Sequence, residues 1–262
     1  MEYILISAVA LIVSGLTFFS GFGLGTLLMP FFAIFFPVEV AVAATAIVHL
    51  ANNIFKVILV GRDADKNIAI KFAVPAAFGA LIGAWLLGFF SELQPIVSYQ
   101  LSNKSFSVMP VKVIIAILMI IFALVELLPA LSKYSFKKEQ IPFGGFISGF
   151  FGGLSGHQGA LRTAFLLRSG LEKKSFIGTM VVSAVAVDVV RLVVYGSTFL
   201  IKDITVFQQS GMQTLLLAGT LSAFVGSYAG KYLFEKVTFK SIQVIVAVML
   251  LTMGMALGFG VV

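Results

Sequence analysis

The chain has 262 residues, of which 60% are hydrophobic and only 11% charged, and its mean hydropathy is +1.08. Soluble globular domains carry about 25% charged residues, so the composition excludes a water-soluble enzyme and a nucleic-acid-binding module. With no cysteine and two histidines, disulfides and thiolate chemistry are excluded, and neither a metal site nor another cofactor is expected. We therefore expect an integral membrane protein, in which the net charge of +7 reports orientation in the bilayer.

Apolar segments follow one another along the whole chain. They span residues 3–36, 38–60, 68–90, 111–130, 143–167, 175–200, 206–234 and 241–261. A membrane-spanning helix needs about 20 apolar residues, so hydropathy alone predicts eight passes. The start of the chain lacks the basic region of a signal peptide, so we expect the first segment to be retained. The longest polar interruption is Ser91–Pro110, and we therefore predict a single membrane domain over residues 1–262.

The basic residues test the prediction of eight passes. With eight ordinary crossings, the loops on the two sides hold seven and eight basic residues, whereas the positive-inside rule expects a clear excess on the cytoplasmic side. If the first and fifth segments dip into the membrane and return, one side holds twelve basic residues and the other three. The twelve are Arg62, Lys66, Lys71, Lys133, Lys137, Lys138, Arg168, Lys173, Lys174, Lys231, Lys236 and Lys240, and the three are Lys104, Lys112 and Lys202. We therefore predict six crossings and two re-entrant hairpins, with both termini outside the cytoplasm.

Both of the predicted hairpins carry glycines where the chain would turn. The first contains Ser20-Gly21-Phe22-Gly23-Leu24-Gly25, and the second has its glycines within Gly152–Gly159. Glycine permits a sharp turn, and irregular backbone at membrane depth is tolerated where protein or a water-filled cavity surrounds it. The alternative is that these glycines only let helices pack closely. The distribution of charge favours the hairpins.

The two halves of the chain resemble each other. Over about 45 residues an offset of 135 aligns Ser20-Gly21 with Ser155-Gly156, Asn53 with Asp188, and Lys56 with Arg191; further on, Gly79 and Gly83 align with Gly226 and Gly230 at an offset of 147. Residues 1–130 form repeat one and residues 141–262 form repeat two. Because each repeat has three crossings, the second enters from the opposite side. We predict an all-α integral membrane protein with two inverted repeats, each a glycine-broken re-entrant hairpin plus three transmembrane helices, an arrangement found in many secondary transporters.

The glycine motif of the first hairpin resembles a known family signature. Gly21-Phe22-Gly23-Leu24-Gly25, with Pro30 after four further residues, is similar to the Gly-x-Gly-Gly-Gly-x-x-x-x-Pro signature of the TauE/SafE sulfite exporter family. The resemblance implies transport of sulfite, sulfonates or related organic anions. Leu24 replaces one glycine, and the second copy reads Gly156-His157-Gln158-Gly159-Ala160 with Phe165 at the proline position. These departures lie where a ligand would bind.

The hairpins also predict a binding site. If helices begin at mid-membrane near Gly25 and Gly159, their free amides and positive dipole ends suit an anion. Arg162 would add a permanent charge and a bidentate fork; alternatively, it snorkels or neutralises a buried acid such as Asp188. His157 would bind the anion, carry a proton, or donate to a carbonyl of the turn. The predicted substrate-binding residues are Ser20, Gly21, Gly23, Gly25, Ser155, Gly156, His157, Gln158, Gly159 and Arg162.

A second set of polar residues lies within the predicted crossings. Asp188 and Arg191 are three residues apart on one helix, so they can pair, and Asn53 and Lys56 are their equivalents in the first repeat. We predict that the two pairs lie towards opposite membrane faces and line gates, with Asp188 as a candidate proton site. A structural salt bridge is the alternative for Asp188, and snorkelling to the headgroups is the alternative for Lys56. His49 completes the gating or proton-coupling set as a functional group or a packed core histidine.

These observations predict a secondary transporter for a small anion in the cytoplasmic membrane, working by alternating access. Proton coupling and oligomeric state stay open. A passive anion channel could use the same pocket. A membrane enzyme or assembly factor is the third alternative, and we expect neither catalytic nor metal-binding residues, because no nucleophile–base arrangement or metal-ligand cluster is visible.

Overall fold

A computed structural model describes residues 1–18, 23–101, 104–127, 136–167, 169–200, 211–233 and 239–261. Ser20 and Gly21 of the first glycine motif lie outside the described residues, as do the loop residues Lys133, Arg168, Lys202 and Lys236. The helices are α1 Glu2–Leu16, α2 Leu24–Ala33, α3 Val38–Val60, α4 Lys66–Ser91, α5 Pro110–Leu127, α6 Ile141–Ser155, α7 Gly159–Leu166, α8 Lys173–Tyr195, α9 Met212–Leu233 and α10 Phe239–Gly258.

Three of the described helical stretches are long and apolar enough to cross a membrane, namely Val38–Asp63, Lys66–Ser91 and Lys173–Phe199. Local chemistry sets where they begin: Pro37 precedes α3, and the Asp65 carboxylate caps α4 by accepting from the Ile68 amide at 2.9 Å. The prediction of a helical membrane protein is confirmed at this level.

The Ser91–Pro110 interruption contains structure that we did not predict. Strand β1 (Val97–Leu101) pairs antiparallel with β2 (Lys104–Val108), and Tyr99 lies opposite Phe106 with their rings stacked at 5.4 Å. The alternation of Val97, Tyr99 and Leu101 with polar residues was the signal for a strand. The hairpin is fixed to the end of α10, because the Tyr99 hydroxyl donates to the carbonyl of Phe259 at 2.6 Å.

Glycines bring helix backbones into direct contact. Along α4 and α6, Gly149 and Gly153 lie so close to the carbonyls of Ala76 and Ala80 that an added Cβ would collide with them. Gly226 of α9 meets the backbone of α1 in the same way. Close packing through small residues is a general device of membrane helices, so the packing interpretation of the Gly152–Gly159 segment holds for Gly153.

The contacts between α3, α4 and α8 define one end of the bundle. The Asp65 amide, just before α4, donates to Oγ1 of Thr179 at 3.0 Å, and Gly178 of α8 packs against the carbonyl of Val60 at the end of α3. We call this end, which carries Arg62, Lys66 and Lys173, the basic end. The opposite end holds Ser91 and the β1–β2 hairpin.

Candidate functional site

A buried carboxylate organises the centre of the protein. Asp188 of α8 is fully buried; its Oδ2 accepts from Nδ1 of His49 at 2.7 Å and from Nδ2 of Asn53 at 3.2 Å. Its Oδ1 accepts from Nε2 of Gln158 at 2.9 Å and pairs with Nη2 of Arg191 at 2.7 Å. Because a carboxylate only accepts hydrogen bonds, Nδ1 of His49 carries the hydrogen in this contact. Helices α3 and α8 and the turn before α7 therefore all contribute contacts to the carboxylate of Asp188.

A polar pocket adjoins this carboxylate. Its cavity volume is about 20 Å³, enough for roughly one water molecule. The residues that line it are Thr17, Phe18, Leu24, His49, Asn53, Lys56, Arg162, Met180 and Val181. The pocket thus combines two cations, from α3 and α7, with two of the groups that hold Asp188.

The two cations are held inside the protein. Arg162 is 2% exposed, and its Nη1 donates to Oε1 of Gln158 at 2.9 Å, so that Gln158 links the guanidinium to Asp188. Lys56 is 6% exposed, and its Nζ lies 5.3 Å from the centroid of the Phe18 ring, within cation–π range. Neither side chain snorkels out of the described structure.

The two glycine-broken segments meet beside this pocket. Gly23 has φ 126° and precedes α2, and Gly156 has φ 83° and ends α6, so both turns use backbone conformations that favour glycine. An added Cβ on Gly25 would lie 3.4 Å from the carbonyl oxygen of Gly156 and 3.4 Å from Cδ2 of His49. Among the described residues, no side chain caps the start of α2 or of α7, which begins at Gly159, so the first amides of both helices have no side-chain acceptor there.

His157 and Ser155 take a different position from the pocket residues. Nδ1 of His157 donates to the carbonyl of Ser155 at 2.9 Å, and its ring stacks on Phe122 at 5.7 Å. The Ser155 hydroxyl donates to the carbonyl of Phe151 at 3.0 Å. Neither residue is among those that line the pocket; the hydrogen bond to the turn carbonyl that we considered for His157 is the contact observed.

The structure brings together residues that we had assigned to two separate sets. Gln158, predicted to bind substrate, contacts Asp188 together with the predicted gating residues His49, Asn53 and Arg191. Arg162, also predicted to bind substrate, contacts Gln158 and lines the pocket with the predicted gating residue Lys56. Sequence analysis missed Thr17, Phe18, Leu24, Met180 and Val181 as pocket lining, and nothing in their residue types marks them. It also missed Tyr195, whose hydroxyl donates to the carbonyl of Gly153.

Ionised and polar side chains buried among membrane helices, beside broken helices, are typical of membrane transport proteins. The chain matches the family described as Sulfite exporter TauE/SafE over residues 4–257 and belongs to that family. No curated protein and no solved structure matches the chain significantly.

Proposed function

We propose that this protein is a secondary transporter that carries a small anion, such as sulfite or a sulfonate, across the cytoplasmic membrane by alternating access. One observation supports this most strongly: Lys56 and Arg162 line the same buried pocket. Apart from the histidines, the buried basic side chains of the described structure are these two and Arg191, and the buried acidic one is Asp188. Since uncompensated buried charge costs several kcal/mol, an anion that enters this pocket is stabilised by the excess of cations.

The pocket also suggests how the anion is bound. The Arg162 guanidinium can present two parallel N–H groups to a sulfite, sulfonate or carboxylate, while Lys56 acts as a point charge opposite it. The first amides of α2, from Leu24, add dipolar donors. Gln158 holds the guanidinium in place through its contact with Asp188.

We place the coupled proton, where transport is proton-driven, on His49 rather than on Asp188. Nδ1 of His49 donates to Asp188, so Nε2 is the ring nitrogen able to gain a proton, and His49 lines the pocket. Asp188 has hydrogen-bonding or ionic partners on both oxygens, which suits a fixed structural charge. An imidazolium next to the bound anion would carry proton and anion together.

Helix contacts support two inverted repeats, residues 1–130 and 141–262, within one membrane domain over 1–262. Gly79 of α4 faces the carbonyl of Phe146 in α6, and Gly226 of α9 faces the carbonyl of Leu11 in α1. Gly79 and Gly226 correspond at the offset of 147, and Leu11 and Phe146 at the offset of 135. Equivalent residues therefore make equivalent contacts across the two halves, as a two-fold pseudo-symmetry requires.

The central helices support the same symmetry. Asn53 and Asp188 correspond at the offset of 135 and are hydrogen-bonded to each other, so their contact lies on the pseudo-symmetry axis. Further along, Val60 of α3 meets Gly178 of α8. Residues later in α3 contact residues earlier in α8. The two helices are therefore antiparallel, as equivalent helices of inverted repeats must be.

Helix lengths support the re-entrant hairpins. The 15 residues of α6 reach about 22 Å, less than the ~30 Å hydrocarbon core. The chain then returns, because Phe165 of α7 packs on Gly144 and Ser148 donates to the carbonyl of Gln158 at 2.9 Å. By the positive-inside rule we place the basic end in the cytoplasm and both termini outside.

A binding screen on purified protein tests the proposal. Sulfite, thiosulfate, sulfonates and carboxylates are each added, and the shift of the thermal unfolding midpoint is measured. We expect stabilisation by one or more of these anions in the wild type, and none by the same anion in Arg162→Ala. Arg62→Ala, which removes an exposed arginine at the end of α3, is the matched control and should behave as the wild type. Equal stabilisation of all three proteins would place the anion elsewhere.

A further inference from the structure

The correspondence between the repeats maps the polar pocket onto a second set of residues. At the offset of 135, the pocket residues Thr17 and Phe18 correspond to Gly152 and Gly153, and Lys56 corresponds to Arg191. By the same offset, Met180 of the pocket corresponds to Thr45. This second set lies on the other side of the Asn53–Asp188 contact, towards the end opposite the basic end.

The second set is closed by hydrogen bonds. Nη1 of Arg191 donates to the carbonyl of Gly152 at 3.1 Å, and the hydroxyl of Tyr195 donates to the carbonyl of Gly153. Both side chains come from α8 and hold the end of α6 against it. In the first repeat the position of Tyr195 is taken by Val60, which has no hydroxyl to donate. Only the second set therefore has both donors.

The hydrogen bonds of the second set do not involve the hydroxyl group of Thr45. Its Oγ1 is buried, the residue being 1% exposed, and has no hydrogen-bond partner among the described residues. Nε of Arg191 is also buried without one. Buried polar atoms are normally hydrogen-bonded, so Oγ1 of Thr45 and Nε of Arg191 are both available to a ligand that reaches them.

We propose that Thr45 and Arg191 form the second half of the anion site, and that Arg191 and Tyr195, bonded to Gly152 and Gly153, are its closed gate. When the gate opens, the two carbonyls are released and the hydroxyl of Thr45 and the guanidinium of Arg191 face the anion. The structure then represents a state in which the Arg191 side is closed, while a small cavity remains on the Lys56 side. This inference rests on the proposed alternating access.

The chain has no native cysteine, so single cysteines report accessibility without background. Thr45→Cys and Met180→Cys are placed in vesicles and treated with a membrane-impermeant thiol reagent from each side. Met180→Cys should react from the side of the basic end, and Thr45→Cys should react slowly from both sides. Adding Tyr195→Phe removes one gate hydrogen bond and should speed the reaction of Thr45→Cys from the opposite side by about 3-fold or more.

Tyr99→Phe is the matched control, because it removes another tyrosine-to-carbonyl bond, in the β1–β2 hairpin, and should leave the reaction of Thr45→Cys unchanged. Arg191→Lys keeps the charge and serves as a second gate variant in place of Tyr195→Phe if that protein does not fold. The inference is overturned if Thr45→Cys reacts from the basic end as fast as Met180→Cys, or if neither gate variant changes its rate.

Anion counterflow measured on the cysteine-free parent separates the two proposals. If the parent exchanges anions but the gate variants do not change the labelling rate of Thr45→Cys, the proposed function is supported and the gate is wrong. If the labelling follows the expected pattern while no tested anion exchanges, the gate is supported and the proposed class of substrate is wrong.

Discussion

The two halves of this protein share their helix contacts but differ in their polar chemistry. Gly79 and Gly226 meet equivalent backbone positions in the opposite repeat. Around the centre, however, repeat one contributes His49 and Asn53, whereas repeat two contributes the carboxylate of Asp188 and the donor Gln158. Close backbone contact at the glycines leaves little room for larger side chains there, whereas the side chains that face the centre differ between the halves. We therefore expect binding specificity to depend on the residues in which the halves differ.

The largest effect, a loss of stability, is expected at the glycine contacts that the two halves share. Gly79→Ala places a Cβ against the carbonyl of Phe146, and Gly226→Ala places one against the equivalent carbonyl of Leu11. Each should lower the free energy of unfolding by about 3 kcal/mol, because the backbones must separate. Gly196→Ala, whose Cβ meets no atom within 4 Å, is the control. Thermal unfolding in detergent measures the difference, and a harmless Gly226→Ala would break the equivalence of the halves.

Arginine 162 has no cationic equivalent in the first repeat, where Leu27 takes its place. Arg162→Ala should weaken anion binding about 100-fold, because a charge-assisted bidentate contact contributes roughly 3 kcal/mol. Leu27→Ala should leave affinity within a factor of about two, since an apolar side chain makes no such contact. Isothermal titration measures both constants. Similar losses in the two variants would mean that the anion does not distinguish the halves.

Asparagine 53 and Asp188 allow a charge exchange across the proposed pseudo-symmetry axis. Asn53→Asp puts a second carboxylate about 3.2 Å from the first, which should weaken anion binding about 10-fold by offsetting the pocket cations. The double variant Asn53→Asp with Asp188→Asn restores a single carboxylate and should recover most of that loss. Equilibrium binding of the same anion measures the recovery, and no recovery would show that position 188 alone can hold the charge.

The smallest effect is expected at Gln158, which positions Arg162 without needing to contact the anion. Gln158→Leu removes the link to Asp188 and should weaken binding about 5-fold, the value of one net hydrogen bond. Gln158→Glu should be more harmful than Gln158→Leu, because a carboxylate there pairs with Arg162 and repels Asp188. Competition binding ranks the two variants; the reverse order would remove Gln158 from its positioning role.

Sequence reasoning found the helical membrane class and the residues of the central cluster, because buried charges and glycines are conspicuous in an apolar chain. Asn53 and Asp188 were aligned by the repeat, and the structure joins them. The contact of Asp188 with Gln158 could not be foreseen, because periodicity places residues on a helix but says nothing about how turns meet helices. Likewise, Phe18 and Met180 line the pocket as ordinary apolar residues that only the packing of α1 and α8 brings there.

Counterflow in proteoliposomes tests the central claim most directly. Vesicles are loaded with the anion that gives the largest thermal shift, and uptake of the labelled anion is followed at increasing external concentration. The account predicts saturable uptake that is accelerated by anion inside the vesicle and lost in Arg162→Ala. Uptake that rises in proportion to concentration and is indifferent to the internal anion would contradict alternating access and establish a passive channel.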